Sequence, residues 1–231
     1  REFYVNDAGA QIVRLGESLW ARVQREVGRE AAIPENGYHG AYLIELAQRL
    51  IHERGPWFAE NPPDVGIEQC RVFAVEALAA EQAETLAGFR VKFDLFFEES
   101  QLYRERHVEQ TLAALTARGV LYEQGGALWL RTTTWGDDKD RVLRKSDGTY
   151  TYFLPDIAYH EHKATRGFDR AIDVWGADHH GYVPRMTAAR QALGHRKDFF
   201  EALIVQLVTV LKGGEEVKMS KRAGDFISLR E

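Results

Sequence analysis

The sequence is short of cysteine: its 231 residues include one, Cys70. A single thiol cannot close an internal disulfide, and it cannot build a zinc site from cysteine ligands. This usage is typical of a reducing compartment, so we expect a cytoplasmic location. The sequence also lacks any apolar run close to the roughly 20 residues that span a bilayer, and no signal peptide is visible in it. We therefore expect no membrane partner.

Positive charge is in the minority, with 30 Lys and Arg against 35 Asp and Glu and a net charge of -5. This balance argues against a dedicated electrostatic nucleic-acid binder, but it allows an enzyme that acts on a nucleic acid through a local basic patch. Hydrophobic residues make up 45% and charged residues 28%, as in an ordinary soluble globular protein. The length suffices for one large domain or two smaller ones.

Two lysines stand three residues apart near the end of the chain, at Lys218 and Lys221, with Met219 and Ser220 between them. Flexible ammonium groups can follow the oxygens of a triphosphate while its charge redistributes. A lone lysine-rich turn is more often a solvated surface loop, so the preceding segments decide between the two interpretations. They favour the first, with Lys218 and Lys221 as candidate catalytic residues and Met219 and Ser220 as nucleotide contacts.

The first part of the chain has the spacing of an α/β unit rich in helices. Apolar periodicity predicts helices over about residues 8–28, 40–53, 64–88 and 104–118. Asn6 or Asp7 should cap the first of these helices, and Asp64 the third. A short apolar run predicts a buried strand at residues 3–5, and a second strand is expected over residues 88–94.

The middle of the chain changes to an antiparallel pattern. Strands are expected over residues 127–133, 141–144 and 150–153, with a hairpin turn before the last of them. Asp137, Asp138 and Asp140 lie between the first two strands. Since the other ligands of a calcium loop are absent from the sequence, we expect these acids to be solvated turn residues.

A candidate nucleotide site follows. An apolar run at residues 171–176 ends in Gly176 and leads into Asp178, His179 and His180, which is typical of a buried parallel strand that opens into a ligand crevice. Glycine lets a nucleotide approach the backbone, and Asp178 can accept a hydrogen bond from a ribose hydroxyl, or it is simply a turn residue. At least one of the two histidines should line the pocket. Helices over residues 154–165 and 183–193 and a strand over residues 203–208 complete the pattern.

Five segments, taken together and in this order, carry a family resemblance: VNDAG at 5–9, WLRTTTWGDDKDRVL at 129–143, DGTYTYFLPDIAYH at 147–160, GADHHGY at 176–182 and KMSKRAG at 218–224. The chain resembles arginyl-tRNA synthetases of bacterial type, which are class I aminoacyl-tRNA synthetases. Its last segment is similar to the KMSKS signature of that class, with Arg222 where the family usually has serine. Residues 94–100 also resemble the family's FDxxxSE stretch.

The resemblance implies a class I synthetase fold: an α/β Rossmann-type parallel sheet with flanking helices and a small antiparallel connective insertion. Residues 1–88 would hold the remainder of the first half of this fold, residues 89–150 the insertion, and residues 151–231 the second half. The implied activity joins arginine to ATP, which enters with Mg²⁺, to form arginyl-adenylate and then moves arginine to the 3′ end of tRNA(Arg). We expect a monomer that holds no tightly bound metal.

The resemblance also implies which residues bind arginine. Tyr152 and Asp156 match the family's arginine-recognition pair, and a guanidinium substrate needs a carboxylate placed for fork-shaped pairing. The alternative for Asp156 is an acid that complements the dipole at a helix start. His179 occupies a position where some family members contact the substrate through glutamine.

The sequence contains no His-x-Gly-His, the HIGH motif that binds ATP on the other half of the family's site. We therefore expect a piece of a catalytic domain, without the anticodon-binding domain and inactive alone. Two alternatives stay open. One is another class I synthetase, for cysteine, glutamate or glutamine, although a glutamate enzyme should place a cation rather than Asp156 in its pocket. The other is a non-catalytic nucleotide-binding or protein-interaction module.

Overall fold

A computed structural model describes residues 1–217 and 227–230. The chain divides into two compact units, one formed by Arg1–Ser100 with Val210–Glu231 and the other by Gln101–Thr209. Within the described residues, no helix combines the length and the apolar character needed to cross a membrane. The three-part division expected from the sequence stays a prediction.

The helices and strands follow one another in an α/β order. In chain order they are β1 (Glu2–Val5), α1 (Ala10–Glu26), α2 (Tyr42–Arg54), α3 (Pro63–Gly88), β2 (Leu95–Glu98), α4 (Glu99–Arg104), α5 (His107–Ala117), β3 (Leu121–Gln124), β4 (Ala127–Leu130), β5 (Arg141–Arg144), α6 (Phe153–Thr165), β6 (Ala171–Gly176), α7 (Val183–Ala192), β7 (Phe200–Val205), β8 (Leu211–Lys212) and β9 (Glu215–Glu216). Short 3-10 turns lie at Pro56–Glu60, Thr132–Trp135, Ala177–Tyr182 and Lys197–Phe199.

The core of the first unit is built by α1, α2 and α3, whose apolar residues recur at helical spacing. Gly66 of α3 allows α1 to pack closely, since a Cβ on it would lie 2.4 Å from the ring of Trp20. Cys70 is fully buried in this core. Burial raises the pKa of its thiol to about 12, so Cys70 is a packing residue with little thiolate at neutral pH.

The predicted helices of the first unit are present, but their predicted caps are wrong. Gly9 caps α1 with φ 87°, and no side chain bonds to the first turn. The carboxylate of Asp7 instead accepts a hydrogen bond from the backbone N–H of Ser100, at 2.8 Å. Pro62 is the N-cap of α3, and Asp64 lies within the first turn, where its charge still complements the helix dipole.

The strand predicted over residues 88–94 is wrong. Arg90 adopts a left-handed φ of 61°, and the backbone N–H of Val91 donates to the carbonyl of Leu86 at 2.9 Å. These are the features of a helix C-terminus closed by a left-handed residue. The strand therefore begins later, as β2, and it pairs in parallel with β1.

The antiparallel insertion is confirmed, but one of its strands is not the one expected. The sheet has the order β3-β4-β5. Gly125 and Gly126 join β3 to β4 with φ values of 59° and 75°, the backbone that a two-residue hairpin turn requires. The predicted strand at 150–153 is reduced to a single bridge from Tyr150 to Arg144, because α6 begins at Phe153.

The acids between β4 and β5 do not share one environment. Asp137 is 8% exposed, and its two carboxylate oxygens accept hydrogen bonds from Nε and Nη2 of Arg141 at 2.7 and 2.8 Å. The pKa of Asp137 is lowered to about 2, because these and other hydrogen bonds outweigh the desolvation that opposes them. The expectation of a solvated acid is therefore wrong for Asp137.

The parallel character predicted for β6 is confirmed, since it pairs with β7, with Ala171 opposite Phe200 and Gly176 opposite Val205. The strand predicted over residues 203–208 is shifted, because β7 begins at Phe200 and ends at Val205. The sequence predicted that β6 is buried, which holds for one face only. On the other face Val174 is 68% exposed and its neighbour Leu203 on β7 is 47% exposed.

Candidate active site

The site is organised by the segment that joins β6 to α7. Gly176 ends the strand, and the 3-10 turn Ala177–Tyr182 follows and leads into Val183. A Cβ on Gly176 would lie 2.6 Å from Oδ1 of Asp178. Glycine at this position therefore lets the carboxylate fold back over the strand end, where ligands bind in parallel α/β sheets.

Asp178 and His179 are open to solvent at this strand end. The Nε2 of His179 lies 3.6 Å from Oδ2 of Asp178, with side chains 57% and 66% exposed. The imidazole ring is also 5.9 Å from the ring of Trp175. This arrangement leaves the carboxylate of Asp178 accessible to a hydroxyl donor from a ligand, and it sets a planar ring beside it.

Asp156 lies in the first turn of α6. The hydroxyl of Tyr182 donates to its Oδ2 at 2.5 Å, a short distance typical of a hydrogen bond to an ionised acceptor. Burial raises the pKa of Asp156, while the bond from Tyr182 and the nearby His160 act in the opposite direction. Desolvation makes the charged form of this carboxylate costly, so a cation bound beside Asp156 would stabilise that form.

Tyr152 stands at the N-cap of α6, one turn before Asp156. Its side chain is 80% exposed. The structure thus brings Asp156 together with Tyr182, while Tyr152 points most of its surface to solvent. The role of Tyr152 in binding arginine stays a prediction.

A cluster of charged side chains joins α6, near Asp156, to β6. Asp173 on β6 accepts hydrogen bonds at Oδ2 from Nε2 of His160 at 2.7 Å and at Oδ1 from Nζ of Lys163 at 2.6 Å. The Nδ1 of His160 donates to the backbone carbonyl of Asp156 at 2.7 Å. This cluster ties α6, which carries Asp156, to the strand that ends at Gly176.

The cluster holds Asp173 ionised: burial would raise its pKa, but the hydrogen bonds and charges of His160 and Lys163 lower it to about 2. A carboxylate with a depressed folded pKa contributes stability above its unfolded pKa of about 4 and loses that stability as the pH falls toward 2. The contribution is about 2 kcal/mol at neutral pH. We therefore expect the free energy of unfolding to fall less between pH 7 and pH 2 in Asp173→Asn than in the wild type. Urea unfolding over this pH range would measure the difference.

A matched control for this measurement is Asp198→Asn, which removes an aspartate whose side chain is 74% exposed. The control should follow the wild-type curve. An Asp173→Asn curve parallel to wild type across the acid range would contradict the assignment of this stability to the cluster.

Sequence reasoning missed His160, Asp173 and Tyr182. Asp173 had a usable signal, since an acid inside the apolar run Ala-Ile-Asp-Val-Trp needs a buried partner. His160 lies one helical turn after Asp156, which places both on one face. Tyr182 had no comparable signal, because its bond to Asp156 joins residues 26 positions apart.

The remaining predicted site residues lie outside the described part of the chain. These are Lys218, Met219, Ser220 and Lys221. Within residues 1–217 and 227–230, no group of three or more His, Cys, Asp or Glu side chains is arranged to hold a metal ion. The described residues offer a partly buried carboxylate suited to a cation, that of Asp156, and an exposed carboxylate suited to a hydroxyl, that of Asp178.

Comparison with known proteins gives these features a context. The family described as "tRNA synthetases class I (R), catalytic domain" matches residues 66–231. Curated relatives named arginine–tRNA ligase match the full chain, at 48% identity in Oceanobacillus iheyensis and at 49% identity in Nitratidesulfovibrio vulgaris. The chain spans 42% of the length of each of these relatives.

Solved structures agree with the sequence relatives. A Campylobacter jejuni structure described as an arginyl-tRNA synthetase superposes with a TM-score of 0.86 at 37% identity, and the match covers 98% of this chain and 49% of that one. The Thermus thermophilus arginyl-tRNA synthetase shares the fold at a TM-score of 0.63 and 19% identity, with 89% of this chain and 41% of that one covered. The α/β arrangement with its small antiparallel sheet is thus that of a class I synthetase catalytic domain.

Proposed function

The chain belongs to the family of class I arginyl-tRNA synthetase catalytic domains, and from this premise we propose that the protein containing it is an arginine–tRNA ligase. It uses ATP to activate arginine as arginyl-adenylate and transfers the arginine to the 3′ end of tRNA(Arg). The chain spans 42% of the length of its curated relatives, so this activity is proposed for a protein of the relatives' length.

The observation that carries the proposal is the partly buried, desolvated carboxylate of Asp156. Arginine keeps its guanidinium charged at any working pH, so its pocket must supply an acid. Asp156 is desolvated, and the hydrogen bond from Tyr182 to its Oδ2 favours its ionised form. Among the described residues, Oδ1 of Asp156 has no hydrogen-bond donor, which leaves it for the substrate.

The nucleotide would be held at the end of β6. Gly176 permits close approach to the backbone, Asp178 would accept a hydrogen bond from a ribose hydroxyl, and the exposed ring of His179 lies next to it. Met219 and Ser220 would contact the nucleotide in the same loop as the catalytic lysines. His179 could also contact arginine, as the resemblance implies.

Lys218 and Lys221 would act on the phosphates as the leaving pyrophosphate gains charge. Mg²⁺ would arrive with ATP, bound through the phosphate oxygens. The partners would be arginine and tRNA(Arg), the compartment the cytoplasm, and the protein a monomer with no membrane partner.

The test is arginine-dependent exchange of labelled pyrophosphate into ATP, with tRNA(Arg) present. A protein that extends this chain to the length of its relatives should catalyse the exchange with arginine and should not do so with lysine or citrulline. Citrulline has the shape of arginine without its charge, so it is the sharper control. Exchange supported equally by citrulline, or by no amino acid, would contradict the proposal.

The 231-residue chain alone should show no exchange above background. The family's HIGH motif, which binds ATP on the other half of the site, does not occur in this sequence, and each lost phosphate contact costs about 10²-fold or more in rate. Robust arginine-dependent exchange by the chain alone would show that the missing motif is not needed.

A further inference from the structure

Tyr182 is the one partner that the structure gives to the side chain of Asp156 within the described residues, and no family motif assigned it a role. From its contacts we infer that Tyr182 is a positioning residue for arginine selection: its hydroxyl holds Oδ2 of Asp156 so that Oδ1 faces the guanidinium. This inference rests on the proposed function, since it takes Asp156 as the arginine-binding acid.

The hydroxyl of Tyr182 is held in place by packing on three elements. Its ring meets Phe153 of α6 edge-to-face at 5.9 Å and Trp175 of β6 at 5.8 Å, with interplanar angles of 83° and 65°. The guanidinium of Arg185, on α7, lies over the same ring at 4.8 Å. A ring fixed on three sides directs its hydroxyl to one point, and that point is Oδ2 of Asp156.

The hydrogen bond also limits how the carboxylate can turn. A free aspartate can rotate and present either oxygen, but an oxygen tied at 2.5 Å to a fixed hydroxyl cannot move without breaking a charge-assisted bond. The carboxylate then presents Oδ1 and the remaining lone pair of Oδ2. The hydroxyl oxygen of Tyr182, which has donated its proton, keeps its own lone pairs as acceptors.

The same contact preserves the charge that arginine needs. Burial favours the neutral acid, and a hydrogen bond donated to the carboxylate favours the ionised form. Removing the hydroxyl should therefore weaken arginine binding most at low pH, where Asp156 would become protonated. A ring that served packing alone would not change the pH dependence of arginine use.

Tyr182 is also the last residue of the turn that carries Asp178. The acid proposed to bind arginine and the acid proposed to bind the ribose are therefore linked through a turn of six residues. This link would hold the arginine pocket at a fixed position relative to the nucleotide site, so that the two substrates meet in a fixed geometry.

The experiment compares wild type with Tyr182→Phe in a protein of the relatives' length, by arginine-dependent pyrophosphate exchange over a range of pH. We expect the KM for arginine to rise about tenfold or more, with the KM for ATP changed much less. The acid limb of kcat/KM for arginine should move to higher pH, because the carboxylate loses a bond that favours its ionised form.

Tyr122→Phe is the matched control. The hydroxyl of Tyr122 donates to Oδ2 of Asp140 at 3.1 Å, so this variant also removes a tyrosine–aspartate hydrogen bond from the same unit. It should leave the arginine KM and the pH profile unchanged. Thermal unfolding of both variants monitors any general loss of structure.

A double-mutant cycle with Asp156→Asn keeps the test decisive if Tyr182→Phe is also less stable. In the Asp156→Asn background, Tyr182→Phe should have little further effect on the arginine KM, because it acts through the missing charge. Additive effects would contradict the inference, as would an unchanged arginine KM or one lowered because the hydroxyl had blocked the pocket. A wild-type protein without arginine-dependent exchange would instead refute the proposed function itself.

Discussion

Asp156→Asn should raise the KM for arginine roughly 30-fold or more in a protein that extends this chain to the length of its relatives. The change keeps the shape of the side chain and removes its charge, so a buried guanidinium would lose its counterion. Truncating one partner of a buried charge pair typically costs about 2–5 kcal/mol, and each 1.4 kcal/mol is about a factor of ten. Steady-state kinetics with arginine varied at saturating ATP would measure the effect.

Asp178→Asn is the control for this prediction, since it makes the same chemical change on the turn after β6. It should affect the KM for ATP rather than that for arginine, because its side chain is proposed to bind ribose. Near-normal arginine kinetics in Asp156→Asn would mean that Asp156 only complements the dipole of α6. The arginine pocket would then have to lie elsewhere.

Lys218→Ala and Lys221→Ala should each lower kcat about 10²-fold or more. Interactions that strengthen as the pyrophosphate leaves act on the transition state, so their loss lowers kcat more than it raises the KM for ATP. Single-turnover rates of adenylate formation would report the chemical step directly.

Lys145→Ala serves as the control, because it removes an exposed lysine from the hairpin after β5. Its kcat should match wild type. If either loop variant instead bound ATP more weakly at an unchanged kcat, the lysines would contribute ground-state affinity only.

Elements with a strong repeating pattern were predictable from the sequence. The helices α1 and α3 have apolar residues at helical spacing over many turns, and each was found within two residues of its expected ends. The strand β6 was predictable for another reason, since an apolar run bounded by Gly176 has the length of a strand and a definite end.

Positions where the backbone leaves its regular conformation were not predictable. Arg90 and Arg106 both adopt a φ of 61°, which a side chain with a Cβ rarely does. Arg106 is the N-cap of α5, so the helix expected over residues 104–118 begins only at His107, and the separate helix α4 that ends at Arg104 was not predicted. Nothing in the local sequence marks an arginine for this conformation.

The candidate site also has a part that the sequence predicts and a part that it does not. Asp156 is a candidate from the sequence because it matches the family's arginine-recognition pair and because an acid is the type of residue that a guanidinium requires. Its partner Tyr182 is not, since the two belong to different helices' N-termini and meet only through the packing of α6 against β6 and α7. Residue type predicts the chemistry of a site, whereas the hydrogen bonds that tune it depend on the folded chain.

The division of the chain into an inserted unit and a split unit has a consequence for its synthesis. Gln101–Thr209 is continuous, so a ribosome delivers it whole before the segment from Val210 onward, which completes the other unit. That late segment must join residues made long before, as when Arg230 donates to Thr85 across 145 positions. Since domains generally fold as they emerge, Gln101–Thr209 would complete its folding first, and Arg1–Ser100 would gain its last contacts only after the segment from Val210 onward has been made.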